Sequence, residues 1–459
     1  MCSEETVRNK ARMKRIVFRF GILLLLAASV GTLAAQRLWT LEECIDYAIA
    51  NNISIQQQNL EIQSREVQLN SSKNAWLPDL NLNVGEEVSF GNYNFILGLI
   101  DDDPDANNDL SYTTGRLAMT MPLFNGFRLQ NTAKSDRFRL EAAVADLDKA
   151  RKDLGIQIAV RYLECLYQRS MADVARSQVD VSRKLVDRAR LLVQDGRRPL
   201  SDQAEAEAQL ANDEYLLAEA EGQVRLARLA LSQLLNLDSM ENFDVAELDA
   251  DGGAVEYDDL PLPDDIFDST VESFPSIQSA KAQIESGKAQ VKVARSAFYP
   301  SLALQGYAGG FYVKMFNRDF DLDLSDSNFF RDYMNEVVAL NLTIPIFNRT
   351  ATKNNVRLAE IGVRNRELAL DEARLSLRKE IQTAYYNADV ARNKLAAAEK
   401  AVDASNVSVG YEEKRYDTGR SNLYDLQLAQ QKHLKALQNA TQAKYEYLIR
   451  QRVLRFYCE

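Results

Sequence analysis

Histidine is nearly absent from this chain of 459 residues, which contains only His433. A single imidazole excludes histidine-cluster metal centres and paired-imidazole chemistry. Cysteine is also scarce, and the thiols at positions 2, 44, 165 and 458 fit neither a disulfide framework nor a zinc motif. The net charge of -11 lacks the basic surplus that phosphate binding requires. We therefore exclude a nucleic-acid binder.

Enzyme motifs are missing as well, since the sequence has no Gly-rich phosphate loop, nucleophile elbow or paired-histidine motif. Acidic stretches at 101–109 and 317–332 resemble calcium loops only superficially, because the second lacks the turn glycine and the closing glutamate. They are typical of solvated hairpin loops. We predict no catalytic residues, no enzyme activity, no cofactor and no metal.

Only one long apolar run is present, and it lies near the N-terminus. Lys14, Arg15 and Arg19 precede the run Phe20–Val30, and small residues follow up to Ala35. This pattern predicts a secretory signal peptide over residues 1–35. Residues 1–12 fit it poorly, so a start at Met13 is the alternative reading. An uncleaved anchor is the other alternative, although the run is shorter than the roughly 20 residues of a membrane span.

The sequence contains two copies of one unit. The segment Ala75–Leu82 resembles Ala297–Leu304 at an offset of 297 − 75 = 222 residues, and Pro122–Asn125 resembles Pro345–Asn348 at 345 − 122 = 223 residues. A register kept over such distances indicates an internal duplication. The predicted segments are a first structural repeat at 36–236, an acidic linker or equatorial segment at 237–263, and a second structural repeat at 264–459.

Helical patterns occupy most of each repeat. Apolar residues spaced three, four or seven apart form a narrow stripe typical of coiled-coil packing, as at Leu140, Val144, Leu147, Leu154 and Ile158. Two helical stretches, 125–193 and 348–416, have about 70 residues and a length on the order of 100 Å, which is too long for a compact globule. Shorter helices are predicted at 40–77, 200–235, 264–299 and 423–457.

Strand patterns lie between these helices. Leu80, Leu82 and Val84 alternate with small polar residues, and the same alternation recurs at 117–121 and 338–344. The predicted strands are at about 79–91, 112–122, 301–313 and 336–345. Such alternation fits either a half-buried strand of a soluble sheet or a strand of a membrane barrel. The export signal, the absence of a later apolar helix and the polar loops between the strands favour the barrel.

Four strands cannot close a barrel alone. The smallest membrane barrels have about eight strands, and open sheet edges are not tolerated in lipid. Copies of this chain must then contribute strands to a shared barrel. Two copies would give eight strands and three copies twelve, and the residues themselves leave this choice open.

Several motifs together resemble the TolC family of outer-membrane efflux proteins. They are the signal followed by Leu41–Asn52, then Ala75–Pro78, Pro122–Gly126 and Tyr416–Arg420, and the resemblance spans residues 38–457. It implies a homotrimer with a twelve-stranded barrel in the outer membrane of a Gram-negative bacterium, continued by an α-helical barrel into the periplasm. Each chain would combine α structure with a membrane β-barrel portion of four strands.

The same resemblance implies a passive exit duct for small molecules. A periplasmic adaptor and an inner-membrane transporter would be its partners, together with outer-membrane lipid. An exit duct for type I protein secretion is the alternative within the family. An exported coiled-coil scaffold without a channel is the alternative outside it.

The resemblance also implies a periplasmic gate. The motif Tyr416-x-x-Gly419, with Asp425 six residues after the glycine, matches the family's gate tyrosine and first gate aspartate. The second gate aspartate is replaced here by Leu428. Around a symmetry axis, three copies of Asp425 would repel one another in the closed state and attract cations.

Two helical tips are predicted, one in each repeat. Gly196 and Gly419 are expected in the left-handed conformation that lets long helices reverse direction. Asp202 lies six residues after Gly196 and matches the family's latch aspartate. Together with the neighbouring Arg197 and Arg420, these tips are the expected docking site of the adaptor.

Overall fold

The computed structural model describes residues 37–90, 109–238, 240, 243–247, 260–316 and 334–458. The predicted signal peptide, the acidic stretches at 101–108 and 317–332, and residues 248–259 of the linker lie outside the described residues. The elements in chain order are β1 Arg37–Trp39, α1 Leu41–Asn51, α2 Ile53–Asn74, β2 Asp79–Ser89, β3 Leu110–Asn125, α3 Arg128–Gln194, α4 Leu200–Leu234, β4 Phe243–Val245, α5 Pro263–Thr270, α6 Pro275–Ser296, β5 Ser301–Met315, β6 Met334–Thr343, α7 Ala351–Asp417 and α8 Leu423–Cys458.

The chain divides into two compact units. Unit 1 consists of Met1–Ile53, Lys152–Leu262 and Thr383–Glu459, and unit 2 consists of Ser54–Arg151 and Pro263–Gln382. Each unit takes segments from both sequence repeats, and α3 and α7 contribute to both units. The repeat is thus a unit of sequence, whereas compact packing joins corresponding parts of the two copies.

Helices α3 and α7 each have 67 residues. At 1.5 Å per residue their length is about 100 Å. In unit 1, α7 packs on α8 through a buried cluster in which small and large residues alternate: Ala391, Leu395, Ala443 and Tyr447. Among the described residues, no helix combines the length and apolarity needed to cross a membrane.

Two helices predicted as continuous are interrupted. The predicted helix 40–77 divides at Asn52, whose ψ of 127° is extended. The predicted helix 264–299 divides before Pro275, where Phe274 has a ψ of 131°. The proline ring disfavours helical geometry at the preceding residue, and asparagine is a weak helix former.

A small parallel sheet in unit 1 pairs β1 with β4, from Arg37 opposite Phe243 to Trp39 opposite Val245. The Tyr162 hydroxyl of α3 lies within hydrogen-bond distance of two backbone carbonyls, those of Trp39 at 3.0 Å and Ala246 at 2.8 Å. Part of the segment predicted as a linker therefore forms a strand that is held against the long helix.

Unit 2 contains a four-stranded antiparallel sheet in the order β2-β3-β5-β6. The four predicted strands are all present and form this sheet, with ends that differ by up to three residues from those expected; β1 and β4 are additional strands that were not predicted. No strand among the described residues pairs with the outer edge of β2 or of β6. In the part of the chain that the structure describes, the sheet therefore has two open edges.

One face of this sheet is apolar and the other is polar. The register places Leu82 opposite Leu117 and Leu304 opposite Leu340. Leu82 is 70% exposed and Leu340 is 65% exposed, so this apolar face is uncovered. On the other face, the Asn341 side-chain amide donates to Gln305 Oε1 at 2.6 Å. Alternating side chains therefore give the sheet one face suited to lipid and one suited to water.

Candidate functional site

Two helical hairpins of unit 1 form the candidate site. The first connects α3 to α4 through residues 195–199, and the second connects α7 to α8 through residues 418–422. Gly196 has a φ of 67° and Gly419 a φ of 72°. A side chain is strained in this left-handed region, so glycine is the residue that each turn requires.

Both turns have the same backbone hydrogen bonds. In each, the glycine N–H binds the carbonyl three residues earlier, and the next N–H binds the carbonyl five residues earlier, which together define a Schellman motif. The four bonds are Gly196 to Val193 at 3.0 Å, Arg197 to Leu192 at 2.9 Å, Gly419 to Tyr416 at 3.1 Å and Arg420 to Arg415 at 2.8 Å. The duplicated sequence thus forms a duplicated turn.

Apolar packing joins the two hairpins immediately behind these turns. The cluster takes residues from all four helices: Leu185, Val186, Ala189, Ala206, Tyr416, Leu423 and Leu426. Tyr416 is its largest member and is 1% exposed. The turns are therefore held on a common apolar base.

Arg198 connects the hairpins above this base. Its guanidinium donates to the backbone carbonyl of Ser421 at 3.0 Å and lies 4.7 Å from the centre of the Tyr416 ring. It also lies 4.0 Å from the Asp202 carboxylate. These residues are here called the Arg198 clasp: Arg198 and Asp202 of the first hairpin, and Tyr416 and Ser421 of the second.

Additional polar contacts surround the clasp. Arg188 of α3 forms an ion pair with Asp417 of α7. The Ser421 hydroxyl donates to Glu412 at 3.0 Å and lies 3.4 Å from the Asp425 carboxylate. The Arg188 pair crosses between the hairpins, whereas the Ser421 contacts hold the second turn to its own helices.

The Tyr416 hydroxyl is buried without a hydrogen-bond partner among the residues that the structure describes. Burial raises the pKa of this phenol, and the nearby Asp202 acts in the same direction, whereas Arg198 and Arg188 act against it. The ring therefore stays neutral well into the alkaline range. An unpaired buried hydroxyl is costly, so it is a weak point of this apolar packing.

The structure brings some of the predicted gate residues together and separates others. Tyr416 and Asp202 meet through Arg198, whereas Asp425 approaches the clasp only through Ser421. Arg197 and Arg420 are exposed at the turns. Gate and docking roles for these residues remain predictions.

Sequence reasoning missed Arg198. The available signal was its position four residues before Asp202, although Arg198 itself lies in the turn that precedes α4. In the part of the chain that the structure describes, no group of three or more His, Cys, Asp or Glu residues could hold a metal ion.

Comparison with known proteins gives a consistent result. The sequence profile of the outer membrane efflux protein family matches residues 44–237 and 267–458. Protein CyaE of Bordetella pertussis is 23% identical over 396 residues, which cover 86% of this chain and 79% of CyaE.

Two solved structures share the fold. The outer membrane protein VceC of Vibrio cholerae matches with a TM-score of 0.72 at 17% identity, covering 91% of this chain and 96% of VceC. The open state of the MtrE outer membrane channel of Neisseria gonorrhoeae matches with a TM-score of 0.69 at 22% identity, covering 94% of this chain and 93% of MtrE. Since the family profile matches most of both repeats, the chain belongs to the outer membrane efflux protein family and is an exit duct of the outer membrane.

Proposed function

We propose that three copies of this chain form a gated duct that passively conducts small molecules out of the cell. A periplasmic adaptor and an inner-membrane transporter would deliver the cargo to its helical end in the periplasm. The single observation that carries the proposal is the four-stranded sheet of unit 2, which exposes an apolar face and has two open edges.

The open edges support assembly with identical copies. In hydrocarbon an unpaired backbone N–H or C=O costs several kcal/mol, so β6 of one copy must pair with β2 of the next. Four strands are too few for a closed barrel, whereas three copies supply twelve and leave a water-filled lumen. The polar face, with Gln305 and Asn341, would line this lumen.

The helices beside the two edge strands support the same arrangement. Helix α2 precedes β2 and exposes Leu60 and Val67, which are seven residues apart. Helix α7 follows β6 and exposes Ile361, Leu368 and Leu375, also seven apart. Stripes with this period pack in coiled-coil fashion, so a ring of copies would cover both.

The helical tips are the proposed gate and docking site. The Arg198 clasp fixes the two hairpins of one chain to each other, which favours a closed tip. Asp425 would add charge repulsion between copies, and an adaptor that engages Arg197 and Arg420 would shift the balance towards opening. The proposed roles of Tyr416 and Asp202 are to anchor the clasp.

Planar-bilayer recording with the purified full chain tests the duct. We expect a trimer in mild detergent and stepwise conductance, whereas a coiled-coil scaffold would give a soluble or carbonate-extractable protein without conductance.

The sheet offers a matched pair of variants, Leu82→Arg on the apolar face and Asn83→Arg on the polar face. Arginine facing lipid costs about 2–4 kcal/mol near the membrane centre, so only Leu82→Arg should lower the amount of trimer in the outer membrane. Equal behaviour of the two variants would contradict the assignment of the faces.

A further inference from the structure

Basic side chains are concentrated where helices of unit 2 meet the four-stranded sheet. The nearest stretches of twelve residues are 67–78, 125–136, 288–299 and 346–357. They contain nine basic residues, here called the basic band: Lys73, Arg128, Lys134, Lys288, Lys292, Arg295, Arg349, Lys353 and Arg357. All nine are exposed. This local excess of basic residues contrasts with the whole chain, in which 66 acidic residues outnumber 55 basic ones.

Little negative charge offsets this band. The same stretches contain a single acidic residue, Asp136, which is 3% exposed and is occupied by Ser72 and Arg139. Lys288 pairs with Glu285 and Arg295 with Glu360, each at 2.7 Å. The other seven members have no acidic partner among the described residues. The band therefore carries surplus positive charge towards its surroundings.

Exposed aromatic residues lie between the band and the sheet. They are Trp76, Phe127, Phe298, Tyr299 and Phe347, all more than half exposed. Aromatic girdles of this kind mark the interface between hydrocarbon and water in membrane barrels. Because Lys73 is three residues from Trp76, it lies within one helical turn of this interface.

We infer that the basic band binds the phosphate groups of anionic phospholipids in the periplasmic leaflet of the outer membrane. The inference rests on the proposed function, because it takes the apolar sheet face as lipid-exposed and the helices as periplasmic. The order of apolar strand, aromatic ring and cation matches the order of acyl chain, interface and headgroup phosphate in one leaflet.

A groove in the band has room for a headgroup. An open cavity of about 540 Å³ is lined by five cations, three glutamates and apolar side chains such as Val291. Three of the cations pair with these glutamates: Lys288 with Glu285, Arg295 with Glu360 and Arg364 with Glu367. Lys134 of α3 and Lys292 of α6 are the lining cations that remain for a phosphate. Cations at its rim would bind the phosphate, and the apolar surface would contact the first part of an acyl chain. One lysine near an anionic surface corresponds to about a fivefold preference over zwitterionic lipid.

Tryptophan fluorescence tests the inference directly. The chain has two tryptophans, so Trp39→Phe leaves Trp76 at the interface as the sole reporter. This protein is reconstituted in vesicles that contain equal mole fractions of brominated phosphatidylglycerol or brominated phosphatidylcholine. We expect the phosphatidylglycerol to quench Trp76 several-fold more strongly. Lipid that copurifies with the unsubstituted trimer, quantified by mass spectrometry, should show the same enrichment.

Two matched variants identify the residues responsible. The band variant carries Lys73→Gln, Lys134→Gln, Lys292→Gln and Lys353→Gln. The control variant removes the same charge from exposed lysines of unit 1 through Lys184→Gln, Lys400→Gln, Lys432→Gln and Lys435→Gln. The stronger quenching by phosphatidylglycerol should fall several-fold in the band variant, which keeps only the arginines and Lys288, and should stay unchanged in the control.

Several results would overturn the inference. Equal quenching by the two lipids without any substitution would do so, and so would a preference for phosphatidylglycerol that is undiminished in the band variant. Absence of quenching by either lipid, with an altered ion selectivity in the band variant, would place the band in the lumen. All samples are first tested for stepwise conductance, so a conducting protein without lipid preference contradicts this inference alone. A protein without conductance contradicts the proposed duct and the inference with it.

Discussion

Removal of the Arg198 guanidinium should open the helical tips. Arg198→Ala deletes the hydrogen bond to the Ser421 carbonyl and the contact with the Tyr416 ring. A hydrogen bond from a charged group contributes about 1.5–3 kcal/mol, and a cation–π contact about 0.5–2 kcal/mol. The Arg198 side chain is 20% exposed, and its ion pair with Asp202 spans 4.0 Å, so we add nothing for that pair.

Together these two contacts stabilise the closed tip by about 2–3 kcal/mol per chain, since neighbouring contacts do not add fully, and Arg198→Ala would remove this stabilisation. A loss of 2 kcal/mol changes the equilibrium between closed and open tips by about 30-fold. In planar bilayers the variant should therefore show a higher open probability and a larger mean conductance than the unsubstituted channel.

The adjacent Arg197 provides the control, because its side chain is exposed and has no ion-pair or side-chain hydrogen-bond partner among the described residues. Arg197→Ala removes the same charge but should leave the conductance unchanged. Arg198→Lys should lie between, since lysine keeps the charge but lacks the planar fork. Identical conductance of Arg197→Ala and Arg198→Ala would refute the reasoning, because general charge at the tip would then explain both.

Three other substitutions have distinct expected outcomes. Asp425→Ala should raise single-channel conductance and weaken block by multivalent cations, and unchanged block would remove Asp425 from the gate. Tyr416→Phe removes an unpaired buried hydroxyl and should leave the channel closed. Because burial raises the pKa of Tyr416, the unfolded phenol ionises first, and the unsubstituted tip should lose stability above about pH 10. The phenylalanine variant should lose less stability over the same pH range. Gly309→Ala should lower trimer yield, since the alanine Cβ would lie 2.4 Å from the Gly115 carbonyl oxygen. The control variant Gly115→Ala should assemble normally, because its Cβ would have no atom within 4 Å.

The periodic parts of the fold could be predicted from the sequence. Alternation at Leu80, Leu82 and Val84 indicated β2 because each side chain reports which face it occupies. The turn glycines Gly196 and Gly419 were identifiable because only glycine adopts the required φ without strain. In both cases the information is local, within a few residues.

Features that depend on distant residues could not be predicted in this way. Strand β4 has three residues and pairs with β1, about 200 positions away, so no local pattern indicated it. The contact of Arg198 with Ser421 joins the two repeats and depends on how the hairpins pack. The Asp202 spacing showed that Arg198 had one potential partner but not that it also crosses to the second hairpin.

The open edges of β2 and β6 also constrain biogenesis. A single copy that inserts into the bilayer would place two rows of unpaired backbone N–H and C=O groups in the hydrocarbon core, at a prohibitive cost in free energy. Oligomerisation must therefore accompany insertion. Newly exported subunits that have not met other copies would remain in the aqueous compartment, with exposed leucines and unpaired edge strands that are prone to aggregation. Unassembled subunits of this kind are expected targets for chaperones and proteases, so cellular quality control would act on the single subunit rather than on the assembled channel.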